Sequence, residues 1–240
     1  MIELEKPVAL QKAVEAISSF ISEGNFRFSD NGISFRAIDP SQVLMVDYSF
    51  EKSAFQKYDV EPSLVGLDVV ELSKILSRAS ETDKLMMDLS DAELKIRLEG
   101  EISRSFHLPL IDVSDEELTL PETEFGTTIE VSARIMKEAL KDASIFGSTV
   151  LFSTKSNQFL IEAKGTQGML KSVLKQAKHL TLKGTSEVNS KYSLNFLQNI
   201  VKAASPEQKI LFEMKSDAPL RVSYPIGPGK IAFHLAHMIL

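Results

Sequence analysis

Apolar residues recur at helical spacing in four stretches of this chain and alternate with polar residues through most of the remainder. Leu10, Val14, Ile17 and Ile21 fall on one face of the segment 8–21, which predicts an amphipathic helix. A second helix is predicted over 69–80, with Val70, Leu72, Ile75, Leu76 and Ala79 on its apolar side. A third runs over 132–145 with Ser132 suited to capping its start, and a fourth over 192–204, closed by Ser205-Pro206. Phe26-Arg27-Phe28 and the stretch 33–38 alternate on either side of Asp30-Asn31-Gly32, and an Asn-Gly turn between alternating runs predicts a hairpin. Further strands are predicted at 43–50, 84–89, 93–98 and 102–108, then at 127–131, 149–154, 158–163 and 168–175. A hairpin over 209–224 and a final strand over 230–236 complete the pattern.

The pattern is written twice, with an offset of about 125 residues. Leu10-Gln11-Lys12-Ala13-Val14-Glu15-Ala16 corresponds to Ile135-Met136-Lys137-Glu138-Ala139-Leu140-Lys141. The hairpin-like run Lys84–Leu89 with Leu94-Lys95-Ile96 corresponds to Lys209–Met214 with Leu220-Arg221-Val222. A period this long marks a duplicated domain rather than a solenoid repeat. Helices and antiparallel strands in each copy predict an α+β fold of two tandem similar domains, at 1–110 and 127–240. Between them, 111–126 has another character. Asp112, Asp115, Glu116, Glu117, Glu122 and Glu124 are unaccompanied by any base, and Leu118 and Leu120 stand isolated near Pro121 and Gly126. This reads as an extended connecting loop, either a solvated tether or a segment whose Leu118, Leu120 and Phe125 line something.

Composition narrows the function classes. An apolar fraction of 43% with 25% charged residues is that of an ordinary globular protein. No apolar run approaches the roughly 20 residues that span a bilayer, and Met1–Pro7 lacks a signal-peptide layout. With no cysteine in the chain, disulfides, thiolate metal sites and cysteine nucleophiles are excluded, and an intracellular location is expected. The net charge of −6 argues against an overall basic coat but leaves room for a local basic stripe.

Catalytic chemistry is not written here. Gly229-Lys230 is followed by Ile231 and has Tyr224 where a phosphate loop needs its first glycine. His234 and His237, three apart in the predicted last strand, would point to opposite faces and share no metal. No carboxylate pairs with a histidine or serine in a recognisable constellation, so neither enzyme activity, nor a metal, nor a cofactor is expected. The helices carry a stronger signal. Arg134, Lys137 and Lys141 share one face of the third helix, Lys74 and Arg78 one face of the second, Lys12 sits on the first, and Lys202 on the fourth beside Asn195, Gln198 and Asn199. Glu15, Glu71, Glu138 and Asp142 share these helices. Basic or neutral polar faces on every helix of an acidic chain suit a phosphate backbone contacted without base readout.

The run Asp30-Asn31-Gly32-Ile33-Ser34-Phe35-Arg36-Ala37-Ile38-Asp39-Pro40-Ser41-Gln42-Val43 resembles the signature of archaeal and eukaryotic sliding clamps, the proliferating cell nuclear antigen family. Leu72-Ser73-Lys74-Ile75-Leu76, Asp217-Ala218-Pro219-Leu220 and Phe233-His234-Leu235-Ala236 fall where that family has similar segments. The resemblance implies a DNA clamp fold that closes into a trimeric ring around duplex DNA, with helices inside and sheets outside. It implies a processivity factor for DNA polymerase, with a clamp loader and nuclease- and ligase-type clients as partners. It assigns DNA contact to Lys12, Lys74, Arg78, Arg134, Lys137, Lys141 and Lys202. It assigns a client pocket to Ile38, Val43, Met45, Leu118, Leu120, Phe125, Pro219 and Ala236. Subunit contact falls to Phe106 and Leu108 on one edge strand and to Met169, Leu170 and Lys171 on the other. The expected location is the cytoplasm or nucleoid of an archaeon, or a eukaryotic nucleus. One departure stands out: the family usually follows Leu-Ala with proline, whereas this chain reads Leu235-Ala236-His237-Met238-Ile239-Leu240. The departure implies either an altered client preference or one specialised subunit of a mixed ring; homotrimer against heterotrimer stays open, and the alternatives to a general clamp are a checkpoint-type ring subunit and, more remotely, an enzyme using the connector as an active-site lid.

Overall fold

The computed structural model describes residues 1–114, 118–120, 122–184 and 187–239. Asp115, Glu116, Glu117 and Pro121 of the expected connector, and the terminal Leu240, lie outside the described residues. The chain divides into two compact units, Met1–Thr119 with Pro225–Ile231 and Leu120–Tyr224 with Ala232–Leu240.

Unit 1 begins with β1 (Ile2–Leu4), α1 (Val8–Ser18), β2 (Glu23–Ser29), β3 (Gly32–Ile38) and β4 (Leu44–Glu51). A 3-10 turn at Lys52–Ala54 leads to β5 (Lys57–Tyr58), β6 (Ser63–Asp68), α2 (Val69–Leu76), β7 (Lys84–Leu89), β8 (Glu93–Glu99) and β9 (Arg104–Pro109). The strands pair antiparallel in the orders β5-β1-β7-β8-β9 and β4-β3-β2-β6. Unit 2 holds β10 (Thr127–Ser132), α3 (Ala133–Ala143), β11 (Thr149–Lys155), β12 (Gln158–Gly165), β13 (Gly168–Lys175) and β14 (Leu180–Gly184). It continues with β15 (Asn189–Ser193), α4 (Leu194–Lys202), β16 (Lys209–Met214) and β17 (Leu220–Ile226), before the last strand β18 (Gly229–Leu235). Its strand orders, β14-β10-β16-β17 and β13-β12-β11-β15, repeat β5-β1-β7-β8 and β4-β3-β2-β6 of unit 1. α1 and α3 start at Val8 and Ala133, and α2 and α4 at Val69 and Leu194, each pair 125 apart. The duplication seen in the sequence is thus a duplication of topology.

Each helix forms because one face has an apolar partner. α1 buries Leu10, Ala13, Val14, Ala16 and Ile17, and α3 buries Ala133, Met136, Ala139, Leu140 and Ala143. α1 packs beside α2, and α3 beside α4. The helices are shorter than their periodicity predicts: Ile21 and Ala79 lie beyond the ends of α1 and α2, although Ile21 is still buried. The side-chain cap is at Asp68, whose carboxylate accepts from Glu71 N at 2.8 Å, and not at Ser132. Ser132 makes no capping bond, and its hydroxyl donates to Pro206 O at 3.3 Å instead.

The first hairpin also departs from its signal. Its two-residue loop is Asp30-Asn31, and Gly32 is the first residue of β3, paired with Ser29. Gly32 has φ +125°, and a Cβ there would lie 2.1 Å from Phe50 O, so only glycine fits. The strands to which the sequence pattern gives no range are β1, β5, β6, β14 and β15. β5 has two residues, Gly66 interrupts β6, and β15 (Asn189–Ser193) buries only Ser190 and Tyr192. Each therefore presents too few apolar positions to show alternation.

Candidate nucleic-acid interface

In unit 1, Lys12 on α1, Lys74 on α2 and Arg78 just past it are exposed. In unit 2, Arg134 and Lys141 on α3 and Lys202 at the end of α4 are exposed, while Lys137 is half-buried. All these positions lie away from the buried faces of their helices, so each unit carries its bases on one helical layer. Unit 1 sets three bases against Glu15 and Glu71, and unit 2 four against Glu138 and Asp142. With Asp68 and Arg78 flanking α2, the charges of the unit 1 layer balance, whereas the unit 2 layer is net positive, within a chain of net charge −6.

The bases are not equivalent. Lys74 Nζ lies 2.5 Å from Glu71 Oε1, and this bond raises the lysine's pKa above its ordinary value. Its charge is partly matched before any ligand arrives. Lys137 Nζ donates to the carbonyls of Lys202 at 2.9 Å and Ala204 at 2.6 Å. An ammonium on the C-terminal carbonyls of α4 complements the helix dipole. That contact, which no local pattern encodes, gives Lys137 a structural task in place of an outward-pointing one. Gln198 likewise turns inward, its Nε2 donating to Leu140 O at 3.4 Å. Arg78 offers its carbonyl to Arg104 Nη1 at 2.7 Å, while the other arm of Arg104 pairs with buried Asp83. Bonds from Ser80 N and, secondarily, the Arg104 guanidinium hold the Asp83 carboxyl below the usual range despite burial.

Of the expected client-site residues, Ile38, Val43, Met45 and Leu118 belong to unit 1. Ile38 and Met45 are directly opposed across β3 and β4, as are Arg36 and Asp47. Spacing by two puts the four on one face of the sheet. Ile38 is 39% exposed, whereas Val43, Met45 and Leu118 are half-buried. Arg36 Nε donates to Asp47 Oδ1 at 2.8 Å and Arg36 Nη1 to Leu118 O at 2.9 Å, which ties Leu118 to this face. Upstream, the connector is bound at Ile111 N to Gly66 O (3.0 Å) and at Val113 O and Ser114 O by Asn25 Nδ2 (3.1 and 3.2 Å). A Cβ on Gly66 would lie 2.1 Å from Ile111 O, so glycine admits the strap. Arg36, Asp47 and Asn25 carry no signal of their own, reading as ordinary polar strand positions.

Asp39 shapes the turn before β4. Its Oδ1 accepts from Val43 N at 2.8 Å and Leu44 N at 2.6 Å, and its Oδ2 from the Ser41 hydroxyl and from Ser41 N at 3.0 Å. Desolvation works against the charge, but these bonds together outweigh it and lower the pKa. Asp followed by Pro-Ser is an Asx-turn signal that could have found it. In unit 2, Leu120 is 40% exposed, and Phe125, Pro219 and Ala236 are half-buried.

The two strands expected at subunit contacts are sheet edges: β9 pairs only with β8, and β13 only with β12, among the described strands. Met169 is 60% exposed, and Phe106 and Leu170 are half-buried. Two expected contacts are committed within their own unit. Leu108 is 6% exposed and packs in the core, and Lys171 Nζ is paired with Glu162 Oε1 at 2.8 Å. His234 is buried in β18, and His237 lies past its end, so the two do not share a strand as expected. Among the described residues, no cluster of three His, Cys, Asp or Glu is placed to hold a metal ion, and no helix is long and apolar enough to cross a membrane.

Two family models match the chain in succession. Residues 1–116 match the proliferating cell nuclear antigen N-terminal domain, and residues 119–238 match the C-terminal domain. DNA polymerase sliding clamp 1 of Thermococcus kodakarensis is 34% identical, over 93% of this chain and 92% of that protein. The DNA polymerase sliding clamp of Pyrococcus furiosus is 32% identical over the same shares. A crystal structure of PCNA from Thermococcus kodakaraensis superposes with a TM-score of 0.94 at 25% identity, covering 99% of both chains. One from Entamoeba histolytica has the same fold, with a TM-score of 0.92 at 23% identity over 99% of this chain and 98% of that one. With both halves matched in order and the strand order repeated between them, the chain belongs to the proliferating cell nuclear antigen family.

Proposed function

We propose that this chain is a DNA sliding clamp, a non-enzymatic processivity factor that encircles duplex DNA as a trimeric ring. It tethers DNA polymerase and nuclease- and ligase-type clients, and a clamp loader places it on DNA. The observation that carries this reading is the placement of the helical bases: each unit of a chain that is acidic overall displays them on its helical layer, away from the buried faces. Such a layer attracts phosphates without reading bases, and the attraction is loose enough to permit sliding. Lys12, Arg78, Arg134, Lys141 and Lys202 are the bases assigned to DNA, with Lys74 contributing less because of Glu71. Clients dock through short aliphatic and aromatic anchors, since a few buried anchors supply most of an interface's free energy. The residues assigned to client docking are Ile38, Val43, Met45 and Leu118 in unit 1 and Leu120, Phe125, Pro219 and Ala236 in unit 2.

The test is polymerase synthesis on a primed circular template, with the chain loaded and single-round product length measured. Longer products that shorten again when the template is linear, so that the clamp can slide off, support the proposal. Products of unchanged length at moderate salt overturn it. His237, where the family usually has proline, keeps a heteromeric ring in view as a second reading. Assembly with paralogous chains but not with itself would select that reading.

A further inference from the structure

We infer that Arg36 is a positioning residue for client binding: its guanidinium fixes Leu118 on the face of β3 and β4 and so presets the apolar surface offered to an anchor. The inference rests on the client-site reading above. Arg36 Nε is satisfied by Asp47 at 2.8 Å, which leaves Nη1 aimed at Leu118 O, 2.9 Å away. The planar guanidinium fork can hold a carboxylate and a carbonyl in fixed relative directions, which a lysine ammonium cannot. Ile38 and Met45 occupy the next positions on the same face, so the backbone bond brings Leu118 to the expected anchor residues. The nearest upstream hold among the described residues is Asn25 on Val113 and Ser114. Without Arg36, the connector around Leu118 loses its tie to β3.

The ion pair itself is exposed, with the Arg36 side chain at 38% and Asp47 at 32%. Pairs that open to water add little to global stability, so removing Arg36 leaves the fold in place. The consequence falls on binding. A strap already held in place has given up its conformational freedom before the client arrives, so ordering it does not weaken the affinity.

The experiment measures the Kd of a synthetic turn-forming peptide carrying one leucine and two phenylalanines. It uses the full chain as wild type, Arg36→Ala, Arg36→Lys, Leu118→Ser and the Arg36→Ala/Leu118→Ser double variant. Arg36→Ala should weaken binding roughly tenfold, the value of one charge-assisted hydrogen bond. Arg36→Lys should be as weak, and thermal midpoints should stay within about 2 °C of wild type. In the Leu118→Ser background, Arg36→Ala should add nothing, because a missing side chain has no position to set. Wild-type affinity for Arg36→Ala beside a weakened Leu118→Ser overturns the positioning role and leaves the client site standing. A full Arg36→Ala loss in the Leu118→Ser background also overturns it, since Arg36 would then touch the peptide directly. If Leu118→Ser binds as wild type, the client-site reading itself fails.

Discussion

Burying a carboxylate is costly unless its lone pairs find donors, and Asp39, only 6% exposed, finds donors on Ser41, Val43 and Leu44. Its folded pKa lies below the ordinary value of 3.8. The charge therefore contributes stability that is fully present above that value and is lost as pH falls through the lower folded pKa. Asp39→Asn should cost about 1–3 kcal/mol at neutral pH, read by urea denaturation. The gap to wild type should close as the pH is stepped down into the acid range below 3.8. A gap that persists in acid would show that something other than the charge holds the turn. Lys137 makes a second residue-scale case. Lys137→Met should lower stability by about 1 kcal/mol by uncapping α4, while barely changing the salt slope of DNA binding. A flattened slope with unchanged stability would return Lys137 to the DNA-binding set.

At the scale of elements, each helix solves two problems with one periodicity. One side buries apolar residues against its unit, and the other displays the bases. Reversal of exposed bases should therefore separate function from folding. Changing Lys12, Arg78, Arg134 and Lys141 to glutamate should leave the melting transition near wild type, because exposed positions contribute little to stability. It should abolish retention on nicked circular DNA at moderate salt. The slope of log affinity against log salt should flatten by about 0.9 for each phosphate that the variant no longer neutralises. Retention equal to wild type would remove the helical layers from the DNA-binding role. The edge strands pose the complementary problem. β9 and β13 each leave one side of the backbone unpaired among the described strands, and β13 exposes Met169 and Val173 along it. Edges left in this state invite pairing with another chain.

For the whole molecule, the proposed ring would pair β9 of one chain with β13 of the next, a head-to-tail interface of the kind that closes on itself. Sedimentation should find a species near three times the 26.6 kDa chain mass, and Met169→Glu with Val173→Glu should return it to single chains. Monomer alone at every concentration, with no paralogue able to assemble it, would remove the ring. Periodicity and composition alone carry four helices, the main hairpins, the duplication at about 125 residues and the bases on the helices. These were legible because an amphipathic element must repeat its apolar positions wherever it packs. Short or glycine-broken strands such as β5 and β6 were not legible, having too few positions to show a period. Packing in three dimensions is what pairs Lys137 with α4 and Lys171 with Glu162 and puts Leu108 in the core. It alone joined Arg36 to Leu118, 82 residues away. The reason is physical: a period records which side of an element is buried, whereas a hydrogen bond between distant segments depends on where the chain returns, which no local spacing encodes.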